Sequence, residues 1–234
     1  MTWIKIALSV FTATAFVANA NAQTIEYAGE KFEMSNVKAS VETFHGEKVL
    51  KVERDLQKIP FDTSRLEATV DEPTFVKLKG LNFENGTIEV KFYSQIQDPS
   101  PFPQAQGFIG VAYRINDDNT AYESIYLRPR VGRSDNQLFR NKTVQYYSYP
   151  DYKFEKLKKQ ADGKYETAAP VDINEWITMR IEVQGEKAYM YINDSKYSTF
   201  VVDKMLGNLK QGAVGLWVDI GTIGYFKDLK ITKH

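Results

Sequence analysis

Residues Trp176 to Ile192 read WITMRIEVQGEKAYMYI. Trp176–Val183 and Lys187–Ile192 are strands, and Gln184-Gly185-Glu186 turns one into the other. Moving outward, the same pattern repeats. Asn193-Asp194 turns toward a strand over Thr199–Val202, and Gly212–Val218 and Tyr225–Thr232 close the chain around the Gly221–Gly224 turn. Upstream, Thr87–Ser94 (TIEVKFYS) alternates apolar and polar residues as a half-buried strand. Phe108–Ile115 is another strand, and Asn116-Asp117-Asp118-Asn119 is a hairpin turn into a strand that begins at Tyr122. Phe32–Met34, Val37–Phe44, Lys48–Glu53 and Thr74–Leu78 are short strands, with a turn at His45-Gly46-Glu47. Phe61–Leu66 reads as irregular, Gln95–Gly107 as a proline-rich loop with Phe102 exposed, and Phe154–Gln160 as a lysine-rich helical turn or loop. Many short strands with regular turns, no sustained helical period and no linker or repeat predict one all-β domain over 23–234, an antiparallel β-sandwich or barrel.

Met1–Ala22 is set apart from that domain. Lys5 precedes an apolar run from Ile6 to Ala18, and Ala20-Asn21-Ala22 forms a small-x-small cleavage site, the pattern of a signal peptide. The run is too short to span a bilayer as a helix. The expectation is a periplasmic or secreted protein with no transmembrane span in the mature chain. The chain has no cysteine, which excludes disulfides, thiolate metal sites and cysteine nucleophiles. Stability then rests on a large core, which the 43% hydrophobic content can supply. Export without disulfides suits a bacterial protein, so the Asn-x-Ser/Thr matches at Asn85, Asn141 and Asn193 read as chance. Thirty basic residues balance thirty acidic ones, so no basic face argues for nucleic acid.

The strand motifs carry a resemblance. NEW-x-x-x-RIEV, G-x-KA-x-x-YIND, QGAVGLWV and FKDLKI in the C-terminal half, with GFIGVAYRINDDNTAYESIYLRP upstream, resemble the concanavalin A-like lectin/glucanase jelly rolls. Within these they are similar to laminin-G-like and 3-keto-disaccharide hydrolase domains of exported bacterial proteins. The resemblance covers most of Leu81–Thr232 and rests on scaffold motifs. It implies a jelly-roll fold and an oligo- or polysaccharide partner, with the ligand across the concave sheet.

The stretch Tyr122–Tyr152 is where chemistry concentrates. Its opening strand places Tyr122, Ser124 and Tyr126 on one side and Glu123, Ile125 and Leu127 on the other; after Pro129 the alternation stops. Guanidinium groups, carboxamides and aromatic faces are what a site uses to hold a polyhydroxylated or carboxylated ligand. Tyr126, Arg128, Arg130, Arg133, Asn136, Gln137, Asn141, Gln145, Tyr149 and Tyr152 are the predicted ligand-binding residues, and Tyr147 and Tyr149 alternate so that one face would stack on a sugar. The competing readings are a solvated loop with paired charges and a protein-interaction surface.

Whether the surface binds or reacts stays open at this level. A hydrolase needs two carboxyl groups across the scissile bond. The nearest match to the laminarinase-type acid motif, Glu53-Arg54-Asp55-Leu56-Gln57, lacks the final acid and reads as a plain strand. Glu123 and Asp135 are the better-placed acids, beside Asp151 and Glu166. A lyase needs a carboxylate-neutralising group and a base, for which Arg140 among the arginines and carboxamides of this stretch, and Tyr146, Tyr149 or Tyr152, are the candidates, but the alginate-lyase signatures are absent. With only His45 and His234, a histidine metal cluster and a Ser-His-Asp triad are disfavoured, and no nucleotide-binding glycine motif occurs. The expectation is no metal and no cofactor; the acidic turn at 116–119 would suit calcium but is explained by turn chemistry alone. Trp176 and Trp217 read as core.

Overall fold

The computed structural model describes residues 23–161 and 163–234. The expected signal peptide and Asp162 lie outside the described residues. Strands run in order as β1 (Thr24–Tyr27), β2 (Glu30–Ser35), β3 (Val37–Phe44), β4 (Glu47–Arg54), β5 (Phe75–Leu78), β6 (Gly86–Ile96), β7 (Ile109–Ile115) and β8 (Tyr122–Leu127). They continue as β9 (Val144–Tyr149), β10 (Glu166–Thr167), β11 (Trp176–Gln184), β12 (Lys187–Ile192), β13 (Phe200–Val202), β14 (Ala213–Val218) and β15 (Thr222–Lys233). Three short helices, α1 (Leu66–Thr69), α2 (Gln137–Arg140) and α3 (Phe154–Gln160), sit in the connections.

Two antiparallel sheets result. One orders its strands β1-β2-β5-β14-β7-β8-β9-β10 and the other β13-β12-β11-β6-β15-β4-β3. In the seven-stranded sheet, Ile177, Met179, Ile181 and Val183 of β11 are buried, and the residues between them are partly exposed. Their partners across the ladder include Val90 and Ile88 of β6, so the alternation of both strands meets in one apolar layer. Facing them are Val76, Leu216, Val111 and Ile125, one row across four strands of the eight-stranded sheet. The β3–β4 hairpin turns on His45-Gly46, both at positive φ, the backbone that a two-residue primed turn requires.

The eight-stranded sheet differs in a way that matters for the site. Every residue of β7 and β8 is buried, because the segment from Asp55 to Thr74 and α3 cover its outer face. Within the stretch expected to lose strand pattern after Pro129, β9 forms and pairs with β8, Tyr126 opposite Gln145 and Tyr122 opposite Tyr149. Burial on both faces removes alternation as a signal, which is why the strand is hidden in the sequence. Trp217 is fully buried on that outer face. Trp176, read as core from sequence, is partly exposed on the outer face of the other sheet, in a satellite cluster with Phe44, Tyr93 and Tyr225. No helix among the described residues is long and apolar enough to cross a membrane.

Candidate functional site

The outer face of the eight-stranded sheet is floored by aromatic rings from adjacent strands. Tyr126 lies 4.9 Å from Trp217 and 5.8 Å from Tyr147, ring centre to ring centre, and Tyr122 lies 5.7 Å from Tyr147 and 5.0 Å from Tyr149. Gly110 of β7 pairs with Tyr126 on one side and Trp217 on the other. A Cβ there would come within 2.3 Å of the Ile125 carbonyl oxygen, so a glycine is what admits this close approach. The Trp217 Nε1 donates to the Glu72 carbonyl at 2.9 Å, tying the covering segment to the floor.

Above that floor lies a cavity of about 180 Å3. Phe102, Phe108, Tyr126 and Phe154 form its apolar walls, and Asp71, Arg128, Glu155 and Asp219 its charged ones. The volume is below the roughly 300–1,000 Å3 of sites that enclose drug-sized ligands, and suits a single ring. A larger cleft of about 720 Å3 opens beside Glu33, Lys77 and Asp117. It has no aromatic lining, and its buried Lys77 Nζ is spent on the Asp117 carbonyl at 3.0 Å and on Glu33 at 3.6 Å. The smaller cavity is therefore the better candidate.

Arg128 is fixed on four sides. Its Nη2 donates to the Tyr126 hydroxyl at 2.9 Å and to Gln145 Oε1 at 3.1 Å, and its Nη1 donates to Glu166 at 2.9 Å and to the Lys142 carbonyl at 2.7 Å. Burial works against its charge, but the surrounding Tyr126, Glu166 and Asp71 more than offset it and raise its pKa. Asp219 forms a buried ion pair with Arg54 at 2.6 Å and accepts from the Asp71 backbone N at 2.9 Å. Asp71 is 2% exposed and sits at a positive φ of 55°, a conformation that aspartate tolerates better than most residues. Its Oδ2 accepts from the Phe154 N at 2.7 Å. Burial, reinforced by the neighbouring Asp219, raises its pKa to about 6.

The residues named from sequence divide into three groups. Tyr126, Arg128 and Gln145 come together at the cavity or directly beneath it. Tyr149 and Tyr152 border a separate recess of about 240 Å3 together with Glu123. There Tyr149 donates to Glu72 at 3.2 Å, and burial, then Glu72, pushes its hydroxyl up to about 12. Tyr146 and Glu123 also meet, at 2.6 Å, but on the inner face of the sheet. The Leu206 N donates to Tyr146 and the Gly207 N to Glu123, so the pair anchors the 205–209 loop. Burial raises the pKa of Glu123 and, aided by Glu123, raises Tyr146 far above the range in which a phenol serves as a base.

The third group occupies the loop around α2, where each arginine already has a partner. Arg130 donates to the Ala105 carbonyl, Arg133 pairs with Glu175 at 2.8 Å, and Arg140 donates to the Ser134 carbonyl. Asn136 caps α2, Gln137 donates to Asn141 at 2.8 Å, and Asp135 is exposed. In the acidic turn, Asn116 and Asp118 are both bonded to Thr120. Among the described residues no group of three or more His, Cys, Asp or Glu could hold a metal ion.

Sequence reasoning missed Asp71, Asp219, Phe108 and Phe154, and read Phe102 as exposed; it is half-buried, packs on Phe61 at 5.0 Å and lines the cavity. The one local signal was Asp71-Glu72 before a strand, in a segment without periodicity.

No family model matches the chain, and no curated protein does. Among solved structures, the carbohydrate binding module CBM66 from Bacillus subtilis superposes with a TM-score of 0.50 at 12% identity, over 84% of this chain and 94% of that one. A Bacillus licheniformis β-glucanase superposes at 0.45 with 11% identity, over 94% and 95%. At such identities the likeness concerns architecture alone. The architecture is the one expected from the strand motifs: the chain folds as an antiparallel jelly-roll β-sandwich.

Proposed function

We propose that the protein is an exported carbohydrate-binding or carbohydrate-processing protein, acting in the periplasm or outside the cell, whose ligand enters the cavity on the outer face of the eight-stranded sheet. One observation carries the reading: a ring-sized cavity walled by four aromatic side chains, with Arg128 and Asp71 held rigidly at its polar side. Aromatic walls suit the apolar face of a sugar, and a few fixed polar groups give orientation. The fold shared with a carbohydrate binding module agrees with this, as does the signal-peptide pattern of Met1–Ala22. The α2 loop with Arg130, Arg133, Asn136, Gln137 and Asn141 would flank longer glycans.

The test is binding of the protein to a panel of neutral, amino and uronate glycans, beside assays for new reducing ends and unsaturated products. Tyr126→Ala and Phe154→Ala should each weaken glycan binding at least tenfold. Unchanged binding in both would place the ligand elsewhere, and no binding across the panel would favour a protein-interaction role.

A second reading, hydrolysis of the bound glycan, is favoured by the two aspartates at the cavity. Arg54 holds Asp219 in an ion pair, whereas Asp71 retains a proton to about pH 6, and acid and anion separated by environment are what glycoside hydrolysis uses. New reducing ends that vanish in Asp71→Asn while binding persists would establish it.

A further inference from the structure

The charges around the cavity do not cancel evenly. Facing Asp71 are Asp219 from the end of β14, Arg128 from the end of β8, Lys153 ahead of α3 and Glu155 in its first turn. Each cation there already has a carboxylate of its own. Arg54 serves Asp219, Glu166 serves Arg128, and Glu72 takes Lys153 at 2.5 Å. Asp71 and Glu155 are left over, with no ion-pair partner among the described residues. Among the described residues the Asp71 carboxyl accepts one hydrogen bond, at Oδ2 from the Phe154 N, and none at Oδ1, and Asp71 lines the cavity. A carboxylate without an ion-pair partner in a partly desolvated cavity attracts a cation, because desolvation strengthens the interaction. A ligand carboxylate would meet two acids there and no unspent base.

Resting on the carbohydrate reading above, we propose that the cavity selects its ring by charge, taking an amino sugar ahead of a neutral sugar and a neutral sugar ahead of a uronate. The ammonium donates to Asp71 Oδ1 while the ring packs between Tyr126 and the phenylalanines. Protonation of Asp71 removes most of the preference.

Calorimetric titration with glucosamine, glucose and glucuronate, and with their short oligomers, tests this at pH 7.0 and pH 5.0. At pH 7.0 each step in the order should be roughly tenfold, the scale of one charge–charge contact in a partly desolvated site. At pH 5.0, and in Asp71→Asn at either pH, the order should flatten to within about threefold. Asparagine keeps the acceptor for the Phe154 N, so the fold is retained. Glu155→Gln, at a half-buried helix position, should shrink the amino-to-uronate ratio by a smaller factor, about threefold. Uronate binding equal to or tighter than amino-sugar binding overturns the proposal, as does an order indifferent to both pH and Asp71→Asn. Failure of every glycan to bind would instead sink the carbohydrate reading beneath it.

Discussion

The two outward faces of this sandwich are both rich in aromatic side chains and use them in opposite ways. On the seven-stranded sheet, Phe44 stacks on Tyr225 at 4.0 Å and Tyr93 packs edge-on to Trp176 at 5.6 Å, with Lys227 lying over Trp176 at 4.1 Å. That cluster is small and partly open to water, and charged residues alternate with buried ones along its strands. On the eight-stranded sheet the rings form a floor that the covering segment buries together with Arg54, Asp71, Glu72, Arg128 and Asp219. Burying so many charges costs free energy unless each is paired. Four of these five are in ion pairs and Asp71 has none among the described residues, and the same face holds the cavity. Aromatic content therefore does not distinguish the two faces; the buried carboxyl without an ion-pair partner does.

Substitutions on the two faces should separate them. The largest effect is expected from Arg54→Met, which strands Asp219 beside Asp71 without a counterion; it should cost about 3–5 kcal/mol in urea unfolding. A loss below about 1 kcal/mol would show that the covered face is not held by this pair.

Asp71→Asn should act in the other direction. The carboxyl of Asp71 binds its proton more tightly when folded, near pH 6 against an ordinary value of 3.8. It contributes most favourably below pH 4, and that contribution is lost as pH rises through 6. At pH 7.0 the variant should therefore be more stable than the parent by roughly 2–3 kcal/mol, with the gap closing on going down to pH 4. A gap that is the same at both pH values would contradict this account.

On the open face, Trp176→Ala should cost about 1–2 kcal/mol, since the ring is only partly buried, and should leave glycan affinity as it was. Lost binding there would reverse the comparison and make the satellite cluster the ligand platform. Arg133→Ala, which removes an exposed pair with Glu175, should change stability by under about 1 kcal/mol.

Much of the architecture was legible from the chain because its signals are local. The half-buried strands of the seven-stranded sheet alternate with period two, and turns such as His45-Gly46 announce themselves by residue type. The site was legible only in part. Tyr126, Arg128 and Gln145 stood out because polar and aromatic residues cluster there, and the structure gathers them at one point. The same composition equally marked Arg130, Arg133 and Arg140, which are taken up by the Ala105 carbonyl, Glu175 and the Ser134 carbonyl away from the cavity. Composition reports which groups are nearby in sequence, not which of them remain unpaired.

By itself the sequence determined an antiparallel all-β domain with a polar, aromatic stretch at its centre, since periodicity and turn chemistry act over a few residues, and the resemblance of its strand motifs implied the jelly roll. Only the tertiary structure decided that Asp71 and Asp219, 148 positions apart, share one cavity. It also decided that Arg128 is neutralised by Glu166, and that Asp71 and Glu155 line the cavity with no ion-pair partner among the described residues. Pairing and burial of charge depend on which distant segments are brought within a few ångströms, and no local pattern in the chain encodes that.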